Sequence, residues 1–236
     1  MYCQSQITSG SIHYNRIYAV TDKIKSDNQA VQTIIEKMAT ESARISYTLN
    51  FNRDEAYFFA NPIMLGNNLD KIFTGLVSFD HGKYKLYENK TDSISRELQD
   101  NRRTGLIIIN RKTLAHWNLS SDTKTINGYK CFKAVTPFYS DDIENSTNAI
   151  NNITAWYAPA IPIPFGPSGY GNLPGLILEL QFLECTFGAS KIDLNPVEPV
   201  FIDKLLQMKA VSEKEYENIL LGNRSPEFER MIKSVK

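Results

Sequence analysis

The stretch AWYAPAIPIPFGPSGYGNLPGLILELQF, residues 155–182, is rich in proline and glycine and carries a single charged residue, Glu179. Prolines fix φ and remove backbone donors, so the first half is predicted to run extended along a sheet edge. Glycines then permit a sharp reversal at residues 166–171. After Pro174 and Gly175 the apolar residues alternate, which predicts a core strand. The stretch therefore predicts a stiff edge and turn leading into a strand of a β-sheet.

Other segments show the same period of two, which is typical of strands with one wet face. In residues 43–51 apolar and polar side chains alternate, and Asn127-Gly128 supplies the positive φ angles of a tight hairpin turn. Further short apolar runs are separated by glycine, asparagine and aspartate. The predicted fold is mainly β with some α: a curved antiparallel sheet or half-open barrel. All 236 residues are predicted to form one domain.

Helices are predicted at two places. Apolar residues spaced three and four apart predict an amphipathic helix near residues 27–40, with Ser26 and Gln29 as a capping box. We expect this helix on the concave side of the sheet. The segment 200–236 is predicted to be helical, with a capping box at Ser212 and Glu215. A last helix is predicted to follow Pro226.

Bulk composition narrows the function classes. Acidic and basic residues balance at 26 each, so the chain lacks the basic footprint of a nucleic-acid-binding protein. No apolar run reaches the length of a membrane-spanning helix. Residues 1–6 are interpreted as an initiator methionine joined to the tail of a removed signal peptide. Two readings of the cysteines stay open: Cys131 and Cys185 are buried thiols, or they form a disulfide bridge.

No motif marks a catalytic or cofactor site. The histidines, His13, His81 and His116, lack metal-ligand spacing, and Ser168 lacks the glycine that a nucleophile elbow needs two residues later. The glycines also fit no phosphate-binding loop. The sequence therefore predicts no catalytic residue, no metal and no cofactor, although a pair of acids could still form an unmarked hydrolase site.

Two segments carry a family resemblance. Residues 156–178, ending in NLPGLIL, closely resemble the motif of the GLPGLI family of Bacteroidetes envelope proteins, and the hairpin at 122–134 resembles its second signature. Asn172 replaces the usual glycine, but asparagine tolerates the left-handed conformation. The resemblance implies a secreted or periplasmic protein, mostly β, with no established activity. Its pattern is also similar to the half-barrels of LolA-like lipoprotein carriers.

The leading functional prediction is a non-catalytic envelope protein that binds an apolar ligand, a lipid or acylated peptide, between sheet and helix. The side chains predicted to contact this ligand are aromatic or aliphatic: Tyr14, Tyr47, Phe51, Trp156, Phe165 and Leu178. The residues predicted to shape the structural motif are Gly166, Pro167, Gly171, Leu173, Pro174 and Gly175.

The alternative prediction is a protein-interaction module that docks a partner in the envelope through the proline-rich edge 156–167. A continuous apolar cavity favours the carrier, whereas a closely packed interior favours the interaction module. An unmarked hydrolase is the third hypothesis.

Overall fold

A computed structural model describes residues 6–19, 26–62, 84–101, 104–111, 116–138, 151–182 and 185–222. The described chain is mostly β. Its strands are β1 (Ser9–Tyr18), β2 (Ser46–Asn52), β3 (Glu55–Ala60), β4 (Lys85–Asn89), β5 (Ile94–Asn101), β6 (Gly105–Asn110), β7 (Asn118–Ile126), β8 (Tyr129–Phe138), β9 (Asn151–Ala158), β10 (Leu176–Phe182), β11 (Cys185–Leu194) and β12 (Ala210–Ser212). Its helices are α1 (Gln29–Ser42) and α2 (Glu213–Leu220), with a 3₁₀ turn at Pro167–Gly169.

The twelve strands form one open, curved sheet in the order β12-β6-β5-β4-β3-β2-β1-β11-β10-β9-β8-β7. Two meanders, β1–β6 and β7–β11, join where β1 pairs with β11. All neighbours are antiparallel except β6 and β12, which are parallel. The predicted curved, mainly β fold is confirmed. So is the hairpin between β7 and β8, because Asn127 and Gly128 have φ of 49° and 81°.

One face of the sheet, the inner face, carries the main hydrophobic core. Tyr14, Tyr47 and Phe58 of three neighbouring strands lie on it, and the Tyr47 and Phe58 rings stack with centroids 5.3 Å apart. The same core reaches Leu86 of β4 on one side and Tyr157 of β9 on the other. These strands lie far apart in the sheet order, so the sheet must curve for their side chains to share one core.

Residues 159–175, the inner segment, fill this curved face. Ile161, Ile163 and Phe165 are 0–3% exposed, which gives the segment an alternating buried face. Its turn reaches β4, since a side chain at Gly169 would meet Leu86. The prediction that these prolines run along a sheet edge is wrong, because β9 lies between β8 and β10 and the segment crosses the inner face.

The backbone of the inner segment is hydrogen-bonded despite its prolines. The Ile177 N–H donates to Phe165 O at 3.1 Å, and the Leu176 N–H donates to Ile161 O at 2.9 Å. The Trp117 indole N–H donates to Gly171 O at 2.8 Å. The inner segment, which has no regular ladder of strand hydrogen bonds, can therefore be buried because other bonds satisfy its backbone polar groups.

Helix α1 begins after Asn28, whose side chain accepts from the Ala30 and Val31 N–H groups. Asn28 is thus the N-cap, not Ser26 as the capping-box pattern predicted. The helix is tied to the inner face at its C-terminal end, where Arg16 Nε donates to Ser42 Oγ at 2.9 Å. Farther along, Val31 and Ile34 are 43% and 46% exposed. The inner segment, rather than α1, therefore supplies the cover for the core.

On the opposite, outer face, strands β3 to β6 are covered by the segment that precedes β12. Leu205 packs there against Tyr57, Tyr87 and Ile108. Helix α2 follows β12, and its predicted capping box at Ser212 and Glu215 is present. It packs through Ile219 against Ile107 and Ile109, which alternate with Ile108 and therefore lie on the inner face. The predicted last helix after residue 226 and the segment 1–5 lie outside the described residues.

Candidate functional site

The predicted ligand-contacting residues are mostly brought together in one packed cluster. Tyr14, Tyr47, Phe51, Phe165 and Leu178 are each no more than 1% exposed and belong to the main core. Trp156 is partly buried against this core, and Lys124 Nζ lies 4.5 Å from the centre of its ring. Their role in binding a ligand stays a prediction.

The predicted motif residues are placed under tight steric constraint. Gly166, Pro167, Gly171, Leu173 and Gly175 are buried, whereas Pro174 is exposed. A Cβ at Gly175 would overlap the main chain of Ala158 and Pro159. A Cβ at Gly171 would lie 2.5 Å from Pro164 O. These glycines let the inner segment lie directly against neighbouring backbone.

A polar cavity of about 370 Å³ opens where the inner segment meets the β4–β5 turn. Its floor includes Glu88, which lies between Ala56 of β3 and Ser95 of β5 in the sheet register. The alternation along β4 places Glu88 on the inner face with Leu86. We call this cavity the Glu88 pocket; it is lined by Glu88, Asn89, Lys90, Ser93, Ile94, Arg111 and Asn172.

Glu88 is the most unusual group in the pocket. Its side chain is 4% exposed, and among the described residues its Oε1 atom has no hydrogen-bond partner. The nearest opposite charge is Lys90, whose Nζ lies 3.9 Å from Oε1. Burial raises the pKa of Glu88 to about 7, while Lys90 acts in the opposite direction. The carboxyl group therefore changes charge near neutral pH.

Lys90 links Glu88 to the inner segment. Its Nζ donates to Asn172 Oδ1 at 2.7 Å and lies 5.2 Å from the centre of the Phe165 ring. Burial lowers the pKa of Lys90, and Glu88 partly offsets this effect. Asn172 has a φ of 62°, and its side chain lines the pocket.

Arg111 forms the other wall and is already paired. Its guanidinium contacts the buried Glu97 carboxylate through Nε, and Nη1 lies 3.6 Å from Glu213 Oε1 at the start of α2. Glu97 also accepts from the Gln99 amide. Arg111 therefore supplies a fixed positive charge whose counter-charges are in place.

Chemically, the pocket offers an acceptor at Glu88 beside donors at Lys90, Asn172 and Ser93. Sequence patterns did not identify it, although a glutamate at an inward position of a strand was the available signal. Glu179, the single charged residue of the 155–182 stretch, is paired with Lys124 Nζ at 2.7 Å. Among the described residues, no group of three or more His, Cys, Asp and Glu side chains could hold a metal ion.

The two described cysteines form no disulfide. Cys131 is buried and Cys185 is partly buried, and burial raises the pKa of the Cys131 thiol. Of the two alternatives that the sequence left open, the structure agrees with free thiols and not with a disulfide bridge.

Strand β7 forms one end of the sheet and pairs with β8. Most of its nine residues are exposed, including Leu119 at 59%. Ile126 and Tyr129 flank the two-residue turn and so exchange backbone hydrogen bonds. By alternation, Thr125 and Thr123 direct their N–H and C=O groups away from β8. In the described part of the chain, no other strand pairs with that side of β7.

These features define an open-sheet β protein with a filled inner face. Residues 139–179 match the model of a Bacteroidetes-associated family described as a protein of unknown function (Porph_ging). That match spans a minority of the chain. None of the curated proteins matches.

Two solved structures share the fold. This chain is 17% identical to a structure of PNGF-II in the P21 space group, with a TM-score of 0.55. The match covers 92% of this chain and 34% of the PNGF-II chain. A structure of PNGF-II in the C2 space group is 16% identical with a TM-score of 0.56 and covers 92% and 33%. This chain thus spans about a third of the length of the solved chains that it matches. No helix in the described ranges has the length and apolar character needed to cross a membrane.

Proposed function

We propose that this chain is a non-catalytic protein-interaction module of the cell envelope that extends its sheet onto a partner at strand β7. The observation that carries the proposal is the exposed end strand, whose Thr123 and Thr125 backbone groups point away from β8. Backbone hydrogen bonds to such an edge supply affinity in strand addition, and neighbouring side chains supply specificity.

The packed interior favours this function over an apolar-ligand carrier. The inner segment occupies the curved face that a lipid would need, and five of the six predicted contact residues are at most 1% exposed. A ligand there would have to displace Phe165 and its neighbours from the core. Loss of such close packing costs several kcal/mol.

The comparisons support a modular role, and the resemblance to the GLPGLI family supports the envelope location. The same fold makes up about a third of the longer PNGF-II chains. A removed signal peptide and periplasmic or secreted placement belong to this proposal. The docking surface that the sequence predicts, residues 156–167, is replaced in this proposal by β7, because the proline-rich segment buries Ile161, Ile163 and Phe165.

Site-specific photo-crosslinking in native cells tests the proposal. A photoreactive amino acid at Leu119 should give a discrete adduct with one polypeptide, whereas the same group at Val197, fully exposed and outside β7, should not. Adding Thr123→Pro should abolish the adduct, because proline removes an outward N–H, while Thr123→Ala should retain it. Equal adducts from Leu119 and Val197, or none from Leu119, would contradict the proposal.

Native mass spectrometry of protein purified from its own envelope distinguishes the interaction module from the apolar-ligand carrier. We expect the mass of the polypeptide without a lipid. A stoichiometric lipid would restore the carrier hypothesis.

A further inference from the structure

The Glu88 pocket combines a cavity with a buried polar atom that the described chain does not satisfy. Glu88 Oε1 has no hydrogen-bond partner in the described residues, although its side chain is only 4% exposed. Most buried polar atoms in proteins are hydrogen-bonded, and a buried acceptor without a partner is costly. The pocket therefore presents an acceptor that a bound molecule could satisfy.

The charges around the pocket favour a neutral molecule. A cation bound at Glu88 Oε1 would lie close to Lys90 Nζ, which is 3.9 Å from that oxygen. An anion would face the Glu88 carboxylate, and Arg111 is already paired with Glu97 and Glu213. Either charge would thus meet like charge in a desolvated site.

Hydroxyl groups fit the donors and acceptors of the pocket. A hydroxyl donates one proton and accepts through its lone pairs, so adjacent hydroxyls could donate to Glu88 and accept from Lys90. The Asn172 amide and the Ser93 hydroxyl add further donors and acceptors along the wall. The cavity of about 370 Å³ lies within the range of small-molecule sites.

From this geometry we infer that the Glu88 pocket binds a neutral polyhydroxylated molecule of monosaccharide size, with Glu88 as acceptor and Lys90 as donor. This site is independent of the partner surface proposed at β7, because seven strands lie between β4 and β7 in the sheet.

Three probes that share one ring but differ in charge test the inference. Glucose, glucosamine and glucuronate are titrated separately into uniformly ¹⁵N-labelled protein, and backbone amide shifts are followed. We expect glucose to shift the amides of Asn89, Lys90 and Asn172 with millimolar affinity. Glucosamine and glucuronate should bind more weakly. The inference is overturned if no probe shifts these amides, or if a charged probe binds more tightly than glucose.

Two variants tie any binding to the pocket. Glu88→Leu removes the acceptor and should weaken glucose binding by about tenfold or more. Glu179→Gln, which alters a glutamate paired with Lys124 outside the pocket, should leave the affinity unchanged. If Glu88→Leu does not fold, Lys90→Met tests the donor at a side chain that is 24% exposed. Unchanged affinity in the folded pocket variant would place the sugar elsewhere and overturn the inference.

Discussion

The Tyr14 hydroxyl donates to the main-chain carbonyl of Ile177 across a distance of 2.5 Å. Tyr14 lies in β1, near the middle of the sheet, and Ile177 lies at the start of β10, immediately after the inner segment. This buried bond therefore fixes the end of the inner segment against a central strand.

Tyr14→Phe is expected to lower the free energy of unfolding by about 1–3 kcal/mol, because it leaves the Ile177 carbonyl buried without this donor. Urea unfolding followed by fluorescence measures the change. Tyr129→Phe, at the hairpin end of β8, is a matched control that should change the free energy by less than about 0.5 kcal/mol. Equal stability of Tyr14→Phe and the wild type would show that the bond contributes nothing net.

Gly175→Ala should destabilise the protein by about 1–3 kcal/mol or more, because the added methyl group overlaps the main chain of Ala158. Gly188→Ala in β11 adds the same methyl group where no atom lies within 4 Å, so its stability should stay near that of wild type. Thermal unfolding of both variants makes the comparison. If both melt together with the wild type, close backbone approach at the motif is unimportant.

Stability should fall as the pH rises from about 4.5 to about 7, because the pKa of Glu88 is raised to about 7 in the folded protein from 4.5. In this window the folded protein retains a proton that the unfolded chain has lost, so the free energy of unfolding decreases as the pH increases. The loss from this group is on the order of 3 kcal/mol. Lys90 and Arg111 are the charged side chains that line the pocket with Glu88, and Glu97 is paired with Arg111.

Glu88→Gln should remove this dependence and stabilise the protein at about pH 8, with little change at about pH 4. Urea unfolding of both proteins across this pH range provides the measurement. A variant less stable than the wild type at the higher pH would mean that the ionised Glu88–Lys90 pair is stabilising.

Cys131 should react with maleimide far more slowly than Cys185 in the folded protein. Cys131 is buried and its pKa is raised, so little of the reactive thiolate is available, whereas Cys185 is partly exposed. Peptide mass spectrometry after timed labelling locates the modified residue. Labelling in urea should make both cysteines reactive, and early modification of Cys131 without urea would contradict its described burial.

The elements that the sequence predicted well are those set by local chemistry. The Asn127-Gly128 turn requires two positive φ angles, and the capping box at Ser212 satisfies its own helix end within one turn. Neither depends on distant residues. The alternation in residues 43–51 also predicted strand β2, but not the burial of Thr48 and Asn50 on its second face, where the Asn50 amide donates to Phe201 O at 2.8 Å.

The errors arose where tertiary contacts outweighed a local rule. Proline predicts an edge because it lacks a donor, yet Ile161, Ile163 and Phe165 alternate inward and bury the segment. The Glu88 pocket is assembled from β4, the residue after β6 and the inner segment. Asn172 and Lys90 are 82 positions apart, so no local pattern could have brought them together.

The junction between the two meanders has a consequence for how the chain folds. Within each meander, successive strands are neighbours, so their pairing closes loops far shorter than the stretch of chain between β1 and β11. The β1–β11 pair instead joins residues such as Gly10 and Leu194, and Asn195 extends the junction by accepting from the Thr8 N–H at 2.8 Å. Closing so long a loop carries the largest entropic cost. Formation of the β1–β11 pairing should therefore limit the refolding rate. The backbone amides within each meander should gain protection from hydrogen exchange before those of β1 and β11 that bond to each other.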